Sequence, residues 1–109
     1  MSSQTAKVET LRSLGFGSIS GSYALLGSAF SNPIRIMIIT NATNGDLLFS
    51  LDGSTDHFFI VNGTFRLYDF TFNRKRLDNS WILPPGTQVY VKQSTAPSSG
   101  SVYLECIYA

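Results

Sequence analysis

The chain offers few side chains suited to acid–base or nucleophilic chemistry. His57 is its one histidine. A nucleophilic triad would have to join it to Asp52, Asp56, Asp69 or Asp78 and to one of many serines. No Gly-x-Ser-x-Gly elbow occurs, and the strand-turn-helix setting that exposes such a serine is missing too. Asp56-His57 reads instead as the end of a hairpin. Asp52-Gly53-Ser54-Thr55-Asp56 places oxygens at loosely calcium-like spacing. An EF-hand loop needs Gly at its sixth position and Glu at its twelfth, and those positions hold His57 and Gly63. An Asx-rich turn accounts for the same residues. Cys106 is the one cysteine, which excludes an intrachain disulfide and a four-cysteine zinc site. It alternates with apolar neighbours and reads as a small buried hydrophobe. The expectation is a non-enzyme with no catalytic residue, metal or cofactor.

Side chains suited to binding are more plentiful. Arg74-Lys75-Arg76 lies in the most charged segment, Asn73 to Asn79, and reads as a surface loop. It could meet phosphates or an acidic protein surface. A net charge of +1 gives no overall footprint for nucleic acid, so a salt-sensitive protein contact is preferred. Tyr68, Trp81, Tyr90, Tyr103 and Tyr108 could stack on sugar rings, although aromatics in a β-sandwich mostly serve the core or an interface. Asn41-Ala42-Thr43 and Asn62-Gly63-Thr64 fit the glycosylation sequon but read as turns without a secretory leader. The candidate interface residues are Arg35, Arg74, Lys75, Arg76, Trp81, Tyr90 and Tyr103.

The elements that must position these residues are strands. Pro33 to Tyr68 reads as three or four strands folded back on one another. Asn44-Gly45, Asp52-Gly53 and Asn62-Gly63 separate them, dipeptides that tolerate the positive φ of short hairpin turns. Ile34, Ile36 and Ile38 alternate with Arg35, Met37 and Ile39. Both faces are largely apolar, so this strand is either buried on two sides or turned toward a partner. Val89 and Val91 alternate with Tyr90 and Lys92. Val102, Leu104 and Cys106 alternate with Tyr103, Glu105 and Ile107. Pro84-Pro85-Gly86 is a stiff turn. Tyr23 to Phe30 tolerates a short helix, a strand or a loop. Met1 to about Thr10 reads as a loose N-terminal arm, and residues 11–109 as one sandwich domain. The expected class is all-β: a single, jelly-roll-like β-sandwich of about eight mostly antiparallel strands.

Charged residues make up 14% of the chain, against about 25% in an ordinary soluble domain. Ser, Thr, Asn and Gly stand in their place, which suits a surface covered by neighbours without many ions to desolvate. The opening residues lack the apolar centre of a secretory signal. The longest apolar run, Ile36 to Ile39, is too short to cross a bilayer. The expectation is synthesis in the cytosol without a signal peptide, and no membrane partner.

From Ala29 to Ala109 the chain resembles small virion structural proteins of tailed bacteriophages. The resemblance is carried by Asn32-Pro33-Ile34-Arg35, Thr40-Asn41-Ala42-Thr43, Phe49-Ser50-Leu51-Asp52-Gly53 with Asp56-His57, Tyr68-Asp69, Pro85-Gly86-Thr87-Gln88-Val89-Tyr90-Val91-Lys92 and Ser99-Gly100-Ser101-Val102-Tyr103-Leu104. It implies a non-enzymatic particle component located in the virion. The favoured role is a capsid decoration or cement subunit bridging capsid proteins, homo-oligomeric in the particle. The alternative is a neck or tail ring or adaptor. The rival from another class is a carbohydrate-binding module using Trp81 and the tyrosines.

Overall fold

In the computed structural model, which describes residues 7–70 and 83–108, the chain is almost entirely β. Among the described residues nine strands run in the order β1 (Lys7–Val8), β2 (Arg12–Gly15), β3 (Ala24–Leu25), β4 (Ile36–Asn41), β5 (Leu47–Ser50), β6 (Phe58–Ile60), β7 (Thr64–Asp69), β8 (Tyr90–Gln93) and β9 (Ser101–Tyr108), with one 3-10 turn at Phe16–Ser18. They form two antiparallel sheets. The first has the order β1-β9-β4-β7, with β2 also on β9, and the second has the order β3-β8-β5-β6.

Alternation in the sequence explains which side chains meet between the sheets. β9 sends Val102, Leu104 and Cys106 inward, and β4 sends Met37 and Ile39. β5 supplies Leu47 and Phe49, β6 supplies Ile60 and β8 supplies Val91; all of these are fully buried. Fully burying a side chain of this size contributes roughly 1.5–3 kcal/mol, which favours the register that keeps each set inside. Burial in this core pushes the Cys106 thiol up to about 11, so it stays protonated and inert at neutral pH.

The turn chemistry of the sequence was legible, but the strand pairing was not. β4 does not pair with β5: Asn44-Gly45 carries the chain from the first sheet to the second, and Asn62-Gly63 carries it back from β6 to β7. Of the three dipeptides only Asp52-Gly53 closes a hairpin, between β5 and β6. Gly53 and Gly63 take positive φ, 82° and 73°. Gly45 is needed for a different reason: a Cβ there would sit 2.3 Å from the Thr95 carbonyl oxygen. A turn dipeptide fixes a reversal of direction, not the sheet in which the next strand finds its partner.

Tyr23 to Phe30 contains no helix. It gives the short strand β3 and then a loop that buries Leu26 and Phe30. Lys7 and Val8, within the stretch expected to be an arm, pair with Tyr108 and Ile107 of β9. Leu83 makes an isolated bridge with Ile34. Arg74, Lys75, Arg76, Trp81 and the first six residues lie outside the described residues.

Candidate interaction surface

The titratable groups are the first place to look for chemistry, and most of them are engaged locally. His57 Nδ1 accepts the Leu51 N–H at 3.0 Å and the His57 N–H donates to the Phe49 carbonyl at 2.8 Å, which closes the β5–β6 loop. Asp52 Oδ1 accepts the N–H groups of Thr55 and Ser54 and the Ser50 hydroxyl, each at 2.8 Å. These bonds hold its carboxyl well below the usual carboxylate range. The calcium-like run is therefore an Asx-stabilised turn. Among the described residues no three His, Cys, Asp or Glu side chains converge on a metal position.

Asn41, which fits the sequon, is fully buried. Its Nδ2 donates to the carbonyls of Gly45 at 2.9 Å and Ile60 at 3.0 Å. Its Oδ1 accepts the Thr43 N–H at 3.1 Å and the Thr43 hydroxyl at 2.6 Å. This side chain ties β4, the crossing turn and β6 together across the two sheets, so its amide is no acceptor for a glycan. Among the described residues no buried side-chain polar atom lacks a partner.

A second polar anchor had no signal in the hydrophobic pattern. Arg12 and Glu9 pair at 2.8 Å with side chains only 7% and 6% exposed. Arg12 Nε also donates to the Ser28 carbonyl at 2.8 Å, and the guanidinium sits 5.1 Å from the centre of the Phe30 ring. Glu9 Oε2 accepts the N–H groups of Ser31 at 3.1 Å and Asn32 at 2.9 Å, and the Asn32 amide at 2.8 Å. Burial pushes the Glu9 carboxyl up, but the bonds from Arg12 and Asn32 outweigh it and the net shift is downward.

The tyrosines proposed for sugar binding do not converge. Tyr68 stacks against Phe58 with ring centres 4.6 Å apart, and Tyr108 packs on the core. Tyr90 lies half-buried on the outer side of the second sheet, donating its hydroxyl to Gln88 Oε1 at 2.8 Å. Tyr103 lies on the outer side of the first sheet. Arg35 sits just before β4, its backbone N–H bonded to the Ile107 carbonyl at 2.9 Å. Among the described candidates, then, Tyr90 and Tyr103 occupy opposite faces and do not share a site.

What the strands do assemble is an apolar outer face on the first sheet. The register sets Ile107 of β9 beside both Val8 of β1 and Ile36 of β4, sets Ile38 beside both Glu105 and Leu67, and sets Thr40 beside both Tyr103 and Phe65. Val8 is 67% exposed, Phe65 62%, Leu67 55% and Tyr103 37%. Ile36, Ile38 and Ile107 are half-buried. Ile36 and Ile38 are the outward residues of β4, the strand whose two apolar faces were ambiguous in the sequence. One face builds the core, and the other is left to solvent by the described part of the chain. Contiguous apolar exposure of this kind marks a contact surface far more than a scatter of single residues does.

No family model matches the chain, and no curated protein matches it. Among solved structures it is similar to the SPP1 Dit protein, described as a paradigm of the hub adsorption apparatus in phages that infect Gram-positive bacteria. The identity is 14% and the TM-score 0.41, over 95% of this chain and 49% of that one. The chain thus spans about half the length of that protein, and a likeness at this level carries no argument about how this chain acts. No helix among the described residues is long and apolar enough to cross a membrane.

Proposed function

We propose that this chain is a non-enzymatic structural subunit of a phage particle, binding other particle proteins through the outer face of the β1-β9-β4-β7 sheet. The observation that carries the binding mode is the row of exposed Val8, Phe65, Leu67 and Tyr103 over half-buried isoleucines. Covering such a face removes apolar surface from water at roughly 25 cal/mol per Å² and leaves few ions to desolvate. The engagement of His57 and Asp52 in loop closure supports a role without turnover. The assignment to a phage particle comes from the motifs named above between Asn32 and Leu104.

Two positions on a particle suit such a subunit: decoration or cement on the capsid, and a ring or adaptor in the neck or tail. No feature of the fold is specific to capsid decoration. Copy number separates the two. Quantitative mass spectrometry of washed particles should find on the order of hundreds of copies for a shell protein and roughly a dozen or fewer for a neck or tail protein. Absence of the chain from washed particles would overturn the reading, as would loss of particle function on His57→Ala in a protein that still folds and is still incorporated.

A further inference from the structure

The outer face of the first sheet carries a carboxylate in its middle. Glu105 projects from the long strand β9, between Tyr103 and Ile107 on its own strand. Its cross-strand neighbour on β4 is Ile38, with Leu67 beyond it on β7. Glu105 is exposed. The other described carboxylates are all engaged: Glu9 with Arg12 and Asn32, Asp46 with Asn62, Asp52 with its own loop, Asp56 with Tyr23 and Lys92, and Asp69 also has a partner. Glu105 alone among them has neither hydrogen bond nor ion pair. A surface that covers the apolar row must also cover this charge, and a covered carboxylate with no cation opposite it is strongly unfavourable.

We infer that the face is built for a different protein, one presenting a flat apolar surface with a single Lys or Arg placed to meet Glu105. A second copy docking on this face about a two-fold axis is disfavoured by charge. An isologous contact sets each residue of the patch against the same patch, and the outward positions of the paired strands hold two carboxylates, Glu105 at the centre and Asp69 beside Ile36, and no Lys or Arg. Like charges brought together in an interface select against that pairing. Copies of this chain would then meet in the particle through other surfaces. The inference rests on the proposed function and specifies the partner of that same surface.

The test uses particles assembled from a phage genome in which this reading frame is interrupted, titrated with purified full-length protein. Wild type should bind at low salt and more weakly at high salt. Glu105→Gln should weaken binding about tenfold, and Glu105→Lys about a hundredfold or more, since it sets like charges together. Leu67→Ser should cost about tenfold with the salt dependence retained. Both positions are exposed, and thermal melting confirms that the variants fold. Tight binding of wild type with no loss in Glu105→Lys or Leu67→Ser would overturn the inference and leave the structural role standing. Failure of wild type to bind would overturn both.

Two further outcomes would also overturn it. One is a wild-type dimer in sedimentation that Leu67→Ser dissolves, which makes a second copy the occupant. The other is a free protein destabilised by reversing Arg74, Lys75 and Arg76 to Glu and restored by Glu105→Lys, which means that the chain supplies the cation itself.

Discussion

The two outer faces of the sandwich handle charge in opposite ways. On the second sheet Lys92 pairs with Asp56 at 3.3 Å, lies 4.8 Å from the centre of the Tyr23 ring, and shares Asp56 with the Tyr23 hydroxyl. Tyr90 is tied to Gln88 in the same way. That face has answered its own polar groups, although Leu25 and Phe59 remain exposed on it. The first sheet exposes a longer apolar row, and its central carboxylate is left unanswered. Of the described carboxylates in a chain with so few charges, only Glu105 is not engaged within the fold, and it marks where the inferred partner would bring its cation.

If that contrast is real, disturbing an engaged charge should cost stability and disturbing the free one should not. The largest loss is expected at Arg12→Ala. It leaves Glu9 with no cation in a nearly buried setting and strips two carbonyls of their donor, Ser28 at 2.8 Å and Ala29 at 3.2 Å. Breaking a pair of this kind costs about 3 kcal/mol, read as a shift in the urea midpoint. Gly27→Ala should act on the same anchor from the other side. Gly27 sits at φ 79°, and a Cβ there would fall 2.6 Å from the Arg12 stem. An Arg12→Ala protein with unchanged stability would show that the pair is ornamental, and the contrast between the faces would lose its meaning.

Asn41→Ala comes next. It strips the Ile60 carbonyl and the Thr43 N–H of the partners that join the two sheets. Leaving such buried groups unsatisfied costs about 2 kcal/mol. Denaturant unfolding measures it, and Asn41→Asp, which keeps an acceptor but loses the amide donors, should not restore the loss.

These two anchors are also where sequence reasoning stopped short. Strand alternation identified the inward side chains of β8 and β9 because apolar and polar residues change places at every step. It also caught the doubled apolar character of β4 and the choice it posed, core on both sides or a partner on one. Glu9 and Arg12 carry no such periodicity. Their burial depends on a loop at Ser28–Asn32 folding over them, a contact between segments that no local pattern encodes. Asn41 was hidden by its own motif, since a sequon and a buried polar clasp use the same residue types. The pairing of β4 with β7 and β9 was equally illegible, because Asn-Gly serves a hairpin and a crossing between sheets alike. Trp81 and the basic run Arg74-Lys75-Arg76 belong to the stretch that the structure does not describe.

Acid sharpens the comparison further. Asp52, Asp46 and Asp56 all titrate below their ordinary value of 3.8: Asp52 through the N–H groups of Thr55 and Ser54, Asp46 through Asn62, and Asp56 through Tyr23 and then Lys92. A carboxyl whose folded pKa is depressed stabilises the fold above its unfolded pKa, and that contribution is lost as pH falls through the folded value. The melting temperature should therefore be flat with respect to these groups above about pH 5 and should begin to fall near pH 4. Asp52→Asn, already less stable at neutral pH, should show a shallower fall. An acid limb of the same slope in wild type and variant would mean that the Asp52 turn contributes nothing through its charge.

The smallest effect is the most discriminating. Glu105→Gln keeps the shape of the side chain and removes only the charge. Since Glu105 is exposed and has no internal partner, the change in unfolding free energy should stay within about 0.5 kcal/mol, as for other surface sites. Lys92→Met on the opposite face gives the matched control, because it removes a cation that Asp56 and the Tyr23 ring already engage. The prediction is a measurable loss of melting temperature for Lys92→Met and none for Glu105→Gln in the free protein. A clear loss for Glu105→Gln would mean that the fold itself uses this carboxylate. The two faces would then differ only in how much apolar surface they show, and the case for a cation-bearing partner would go with that difference.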